Sequence, residues 1–335
     1  MWRETTKHAR NLTIFNNELH DFLPAKMLDF HVHCYDERVP PQEITFNTLD
    51  RKLEHYLVSE LAQDAGELYP GRDFSAVCFG YPSEEVDIAL NNAYILEACD
   101  GQQFFPFRLI RPTETAEALD RDLSAHPWRG IKPYLNFVDK PKGEIEIFDM
   151  MPHHLLEVLD AHRMLLTLHI PRGQRLADPV NQRQIVEMAK RYPNVTIILA
   201  HIGRAYYVSN VVGYLDDLRP LDNVYFDTTM VCNWEVLEYT FQQIQPHKLL
   251  YGTDIPLALA PGTSVEINNQ YTYISPNPSD LSIGDDHHKL VFTSFVYEQL
   301  RAIKKAVTRC KLPRGFVEDL FYGNGMRLLQ SRIGG

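Results

Sequence analysis

The stretch AKMLDFHVH, residues 25 to 33, reads as a buried strand that ends in two histidines. In a strand, side chains alternate between faces, so His31 and His33 project to the same side, about 6.6 Å apart along the chain. That spacing can seat one metal ion. With fourteen histidines in the chain, the pair alone is a weak signal, and its weight depends on what surrounds it. The same type of segment recurs. Short apolar runs stand at 25–33, 74–80, 103–110, 129–135, 164–170, 194–202, 223–229 and 248–255, which makes eight candidate strands. Patterns of helical period lie between them, at 82–98, 149–163 and 178–193 among others. Ser83 and Asp178, the latter just before Pro179, supply helix starts. Strands alternating with helices predict parallel βα units, and eight of them predict an α/β fold of the closed (β/α)8 TIM-barrel type. A doubly wound open sheet is the competitor, and the glycine fingerprint it would usually carry is missing.

Two segments fall outside the repeat. Residues 1–24 form an N-terminal extension, in which FNNELHDFL (15–23) is expected to be a helix capping the barrel floor, and residues 25–335 form one catalytic barrel domain. The stretch 255–288, rich in Pro, Asn, Ser and Gly, follows the eighth strand and is expected to be a long functional loop over the barrel mouth. A formal charge of −11 argues against nucleic acid or an anionic membrane as a partner. No uncharged apolar run approaches the roughly 18 residues that would span a bilayer. Five scattered cysteines with no C-x-x-C spacing suit a reducing, cytoplasmic setting. A small-molecule substrate is the expected partner, and the exposed faces of a barrel leave homo-oligomerisation open.

In a parallel barrel all strand C-termini meet at one mouth, where active sites of this fold are built. Here those ends carry His31 and His33 on the first strand, Arg108 on the third, Lys132 on the fourth, His169 on the fifth, His201 on the sixth and Asp254 on the eighth. Each has a scaffold reading of its own, as a hydrogen-bonded histidine, an Asx turn before Pro256 or a solvated cation. Accidents would have to place all of them at strand ends together. Imidazoles with a carboxylate suit zinc or a similar divalent ion. On that chemistry His31, His33 and His169 are nitrogen ligands, and Asp254 both touches the metal and takes a proton from its water.

The ordered series DFHVH, GIKPY, LHIPRG, LAHIG and YGTDIP, closed by FYGNGMRLL at 321–329, resembles the amidohydrolase superfamily. Within it the likeness is to the amidohydrolase-related branch of metal-dependent hydrolases and decarboxylases. The resemblance implies that His31, His33, His169 and Asp254 bind the metal. It implies that His201 polarises substrate or moves a proton in one-metal members and is a ligand in two-metal members. Lys132 matches the lysine that, carbamylated, bridges two metals in binuclear members, although Pro133 and Tyr134 follow it where other residues usually stand. Asn324 matches the asparagine that fixes the turn into the last helix.

Arg108, Arg172 and Arg204 follow or end strands three, five and six, and with Tyr134 they are the candidate substrate-binding residues. Because arginine pairs with carboxylates, they favour a carboxylate-bearing substrate. The expected reaction is attack of metal-activated water on an amide, ester or lactone, with Asp254 and His201 as catalytic groups. Non-oxidative decarboxylation of an aromatic or unsaturated acid is the alternative chemistry of the same constellation. A barrel that holds metal without turnover is the reading from another class, and the complete ligand set argues against it.

Overall fold

The computed structural model describes residues 9–43, 52–276, 282–285, 287 and 289–331. Eight strands, β1 (Lys26–His33), β2 (Asp73–Phe79), β3 (Phe104–Ile110), β4 (Gly130–Pro133), β5 (Leu165–Leu168), β6 (Thr196–Leu199), β7 (Val224–Asp227) and β8 (Leu249–Leu250), form one sheet in sequence order. Every neighbouring pair is parallel. Beyond Leu250 the eighth segment runs beside β1. Phe30 N donates to Tyr251 O (2.8 Å), Asp254 N to His31 O (2.9 Å) and His33 N to Ile255 O (2.8 Å), which completes the (β/α)8 barrel.

The lumen is filled, as the period-2 alternation requires. Leu28, Phe30, Val77, Phe79, Phe105 and Phe107 belong to one buried inner cluster, and the Phe30 and Phe107 rings meet edge to face at 5.9 Å. Each such ring contributes about 1.5–3 kcal/mol by leaving water. Gly130 makes room for this packing, because a Cβ there would lie 2.3 Å from the Phe107 ring.

Helices α1 (Val58–Leu68), α2 (Ile88–Ala98), α3 (Ala116–Ala125), α4 (His153–Ala161), α5 (Pro179–Arg191), α6 (Trp234–Gln243) and α7 (Phe295–Arg309) flank the sheet. Only short helical turns, at His201–Arg204 and Val208–Asn210, are assigned between β6 and β7. Asp178 caps α5 as the sequence predicts, through the N–H groups of Val180 and Asn181. The helix expected from residue 82 instead begins at Ile88, since Asp87 rather than Ser83 accepts from its first free N–H groups. Residues 82–85 are thereby released to line the barrel mouth.

Two further expectations are corrected. The described residues of the N-terminal extension do not cap the floor. Its helical part, Ala9–Ile14 and Phe15–Leu19, turns against α7, where Glu18 meets Arg301 at 2.9 Å. The floor is covered by α8 (Asn324–Gln330), whose Leu328 and Leu329 join the inner cluster. The stretch after β8 is not a structureless loop either. It folds into an antiparallel hairpin, β9 (Thr263–Ile267) and β10 (Gln270–Ser275), with β11 (Ser282–Gly284) added parallel to β10. Asn268 and Asn269 both take positive φ, the two-residue turn that matches strand twist. Residues 277–281, 286 and 288 of that stretch lie outside the described residues.

Asn324 is buried, and its amide donates to Pro246 O (2.7 Å) and Leu249 O (2.8 Å) at the entry to β8. Asn324→Ala would leave both carbonyls without that donor, so the variant should lose about 2–3 kcal/mol of stability. Chemical denaturation checks this, and an unchanged midpoint would refute the anchoring role.

Candidate metal centre

Three strand-end imidazoles are held in one tautomer by partners that can only accept. His33 Nδ1 donates to Gly80 O (2.8 Å), His201 Nδ1 to Thr229 O (3.0 Å) and His31 Nδ1 to the carboxylate of Asp227 (3.0 Å). In its neutral form each ring therefore presents an Nε2 lone pair. Those of His33 and His31 face Asp254 Oδ1, at 3.2 and 3.5 Å. Donor atoms of His31, His201 and Asp254 all lie within 4.8 Å of one another. Two neutral nitrogens and one carboxylate oxygen fit a divalent ion of zinc's chemistry.

The electrostatics agree with that donor set. Burial, with Lys132 nearby, depresses His31 to about 4, so it is neutral near pH 7. Burial likewise lowers His201, and it lowers His169 with help from Arg204. For Asp254, burial opposes ionisation, but a hydrogen bond from His33 and the charge that the neighbouring imidazoles carry when protonated outweigh it and hold the carboxyl below its usual range. Lys132 is fully buried, depressed to about 8 by desolvation, and its Nζ lies 3.3 Å from His31 Nε2.

The backbone explains how these groups meet. His201, Ile202, Gly203 and Arg204 all have φ between 52° and 64°, a left-handed turn that costs about 1–2 kcal/mol for each residue with a Cβ. Asp227 supports it by accepting from His201 N (2.7 Å), and Gly203 leaves room for Leu176, whose Cδ1 a Cβ would approach to 2.7 Å. The turn sets the His201 ring 5.1 Å from His31 and 5.4 Å from His169. On β1 the register shifts between Asp29 and Val32. Asp29 bridges the seam by accepting from His31 N and Thr253 N, each at 3.0 Å.

The sequence-predicted residues divide as follows. His31, His201 and Asp254 come together, with Lys132 and His33 touching members of that set. His169 stands beside it, stacked on Tyr134 at 5.2 Å, with Nδ1 buried and without a hydrogen-bond partner among the described residues. Arg108 is not brought to the mouth. It alternates outward between the lumen residue Phe107 and Leu109, and its guanidinium is held by Glu114 and Asp122. Arg172 is engaged by Asp178, the α5 cap, at 3.1 Å. Arg204 donates to the carbonyls of Ile170 and Pro171 at 3.0 and 3.1 Å. Two of the three arginines that favoured a carboxylate-bearing substrate thus already have carboxylate partners.

Asp227 and Asp29 were not among the predicted residues. The seventh strand, in the run NVYFDTT, ends in Asp227 just as other strand ends carry a histidine, a lysine or Asp254, which was the available signal for it. Burial opposes its ionisation, and the charge that His31 carries when protonated, with the hydrogen bond from that ring, outweighs it and holds the carboxyl at about 2. In Asp227→Asn the amide can present N–H groups to His31 and disturb its tautomer. Zinc affinity should fall about 10–100-fold with the fold intact, as for other partners of metal-ligating histidines. Competition against a chromophoric chelator, with circular dichroism alongside, measures it; unaltered affinity would exclude this orienting role.

A family profile described as amidohydrolase matches residues 29–330. No curated protein sequence matches the chain. Among solved structures it is similar to an amidohydrolase 2 from Bifidobacterium longum subsp. infantis, with 16% identity, TM-score 0.58 and coverage of 92% of this chain and 99% of that one. A Burkholderia multivorans amidohydrolase with bound zinc shares 13% identity at TM-score 0.57, over 91% of this chain and 99% of that one. A 2,6-dihydroxybenzoate decarboxylase from Rhizobium shares 12% identity at TM-score 0.53, over 92% of this chain and 99% of that one. At such identities the structural likenesses speak for the fold, whereas the profile spans nearly the whole barrel. The chain belongs to the amidohydrolase family, in its amidohydrolase-related branch.

Proposed function

We propose that this protein is a metal-dependent hydrolase acting on an amide, ester or lactone of a small substrate. The observation that carries the reading is the convergence of tautomer-fixed Nε2 lone pairs on the Asp254 carboxylate. His31, His201 and Asp254 are the proposed ligands of a divalent ion, zinc by donor type, with His33 and His169 at the edge of the set. Such an ion supplies Lewis acidity and a water acidified towards neutral pH. Asp254, whose side chain is 14% exposed to the mouth, takes the proton of the attacking water and returns it to the leaving group. His201 Nε2, an acceptor, serves as ligand or base and does not donate to an oxyanion. That donor role falls to the Lys132 ammonium. A carbamylated Lys132 bridging a second ion is the binuclear variant of the proposal.

Decarboxylation is the second reading, because the Tyr81 and Tyr134 rings border the cleft and suit an aromatic acid. Product analysis separates the two: hydrolysis gives an acid with an alcohol or amine, and decarboxylation releases carbon dioxide.

Elemental analysis of protein purified without chelator or affinity tag should find at least one zinc-type ion per chain. About two ions, falling to one or none in Lys132→Ala, would establish the lysine-bridged pair, and about one in both proteins would exclude it. Asp254→Asn should lower turnover by about 10²–10⁴-fold on any substrate found. Undiminished turnover would remove Asp254 from the proton path.

A further inference from the structure

We propose that the outer cleft selects a substrate whose end remote from the reacting carbonyl donates hydrogen bonds and carries no negative charge, such as a hydroxyl, carboxamide or ammonium group. The inference rests on the hydrolase reading above and adds the substrate class. The cleft encloses about 500 Å3, with His33 and Asp254 at its base and Tyr81 and Tyr134 in its lining.

Its polar lining is rich in acceptors. Asn136 Nδ2 is committed to Pro82 O at 2.9 Å and Gln42 Nε2 to Pro40 O, so both side chains keep their carbonyl oxygens for a ligand. Glu84 and Glu85 line the same cleft on exposed positions released by the late start of α2. Among the described residues neither carboxylate has a hydrogen-bonding or ionic partner. Lys52 is the one lysine or arginine among the described lining residues. Arg108 and Arg172 have acidic partners, and Arg175 faces the Tyr271 ring at 4.2 Å. A distal carboxylate, which can only accept, would face the like charge of Glu84 and Glu85, with Lys52 the one lining cation and the Tyr81, Tyr134 and Ser83 hydroxyls the neutral donors set against it. A hydroxyl, amide N–H or ammonium group finds partners, and an ammonium group also finds tyrosine faces.

The test uses zinc-loaded protein and benzohydroxamic acid, whose hydroxamate anchors on zinc, with its 4-carboxylate, 4-carboxamide and 4-aminomethyl derivatives, titrated calorimetrically. The carboxamide and aminomethyl compounds should bind at least about fivefold tighter than the carboxylate in dilute buffer, with the gap closing as salt shortens the Debye length. The double variant Glu84→Gln/Glu85→Gln should narrow the gap to about twofold or less. Equal or tighter binding of the carboxylate, or an unchanged gap in the double variant, overturns the inference while unsubstituted benzohydroxamic acid still binds. Failure of that unsubstituted compound to bind would instead overturn the metal-centre reading, and the inference with it.

Discussion

One buried carboxylate, Asp227, sets the geometry on which the candidate centre depends. Its Oδ1 accepts from the backbone N–H groups of His201 and Thr229, at 2.7 and 3.1 Å, and its Oδ2 accepts from His31 Nδ1. Three strand ends, β1, β6 and β7, are therefore tied to a single group with no water-exposed surface. The tie also supports the left-handed turn at His201–Arg204, whose strain would otherwise favour relaxation into ordinary backbone. Local strain, imidazole tautomer and donor direction are parts of one arrangement here. The Gln299 amide adds to it from outside, donating to Thr228 O and Gly252 O so that α7 fixes the ends of β7 and β8.

The barrel was legible because its signal is repeated and local. All eight apolar runs contain strands, since a segment buried on both faces must be apolar whichever neighbour it pairs with. The failures arose where a tertiary partner decided the outcome. Ser83 and Asp87 are both competent caps, and which one starts α2 is fixed by the acceptor that reaches the free N–H groups of Ala89 and Leu90. The insertion after β8 looked like a loop by composition, yet the paired asparagines at 268 and 269 carry a hairpin signal, and Tyr271 stacks on Tyr206 while Tyr273 meets it edge to face beside the centre. The helix covering the floor could not be chosen by periodicity, because both chain ends carry amphipathic segments.

For the candidate site, strand-end position was informative and side-chain direction was not. His31, His201 and Asp254 stand where a parallel barrel gathers its strand ends. Arg108 has the same kind of address, but it lies on the outward half of the pleat and its charge is used to hold α3 and the β3–α3 connection. Alternation counted from Phe107 would have revealed this. Asp29 and Asp227 escaped notice because an acid within an apolar run gives no hint of its partners: backbone N–H groups at a register shift in one case, and a histidine and a strained turn in the other.

Charge balance ties the fold to the proposed chemistry. Asp227 and Asp254 place two carboxylates at the inner end of the barrel, and Lys132 is the ammonium set against them. Burial depresses His31 and His201 against the pull of their hydrogen-bond acceptors, so these two rings do not supply the remaining positive charge. Buried charge without compensation is costly, and converging lone pairs repel one another as well as a carboxylate. A divalent cation resolves both problems at once, since it takes the lone pairs as ligands and offsets the carboxylates. Protonating the imidazoles would also turn each Nε2 lone pair into a donor towards Asp254, but it would require buried rings to ionise against their desolvation. The donor set is therefore better matched to a metal than to protons, and this is why neutral imidazoles, a buried ammonium and two carboxylates are compatible in so small a volume.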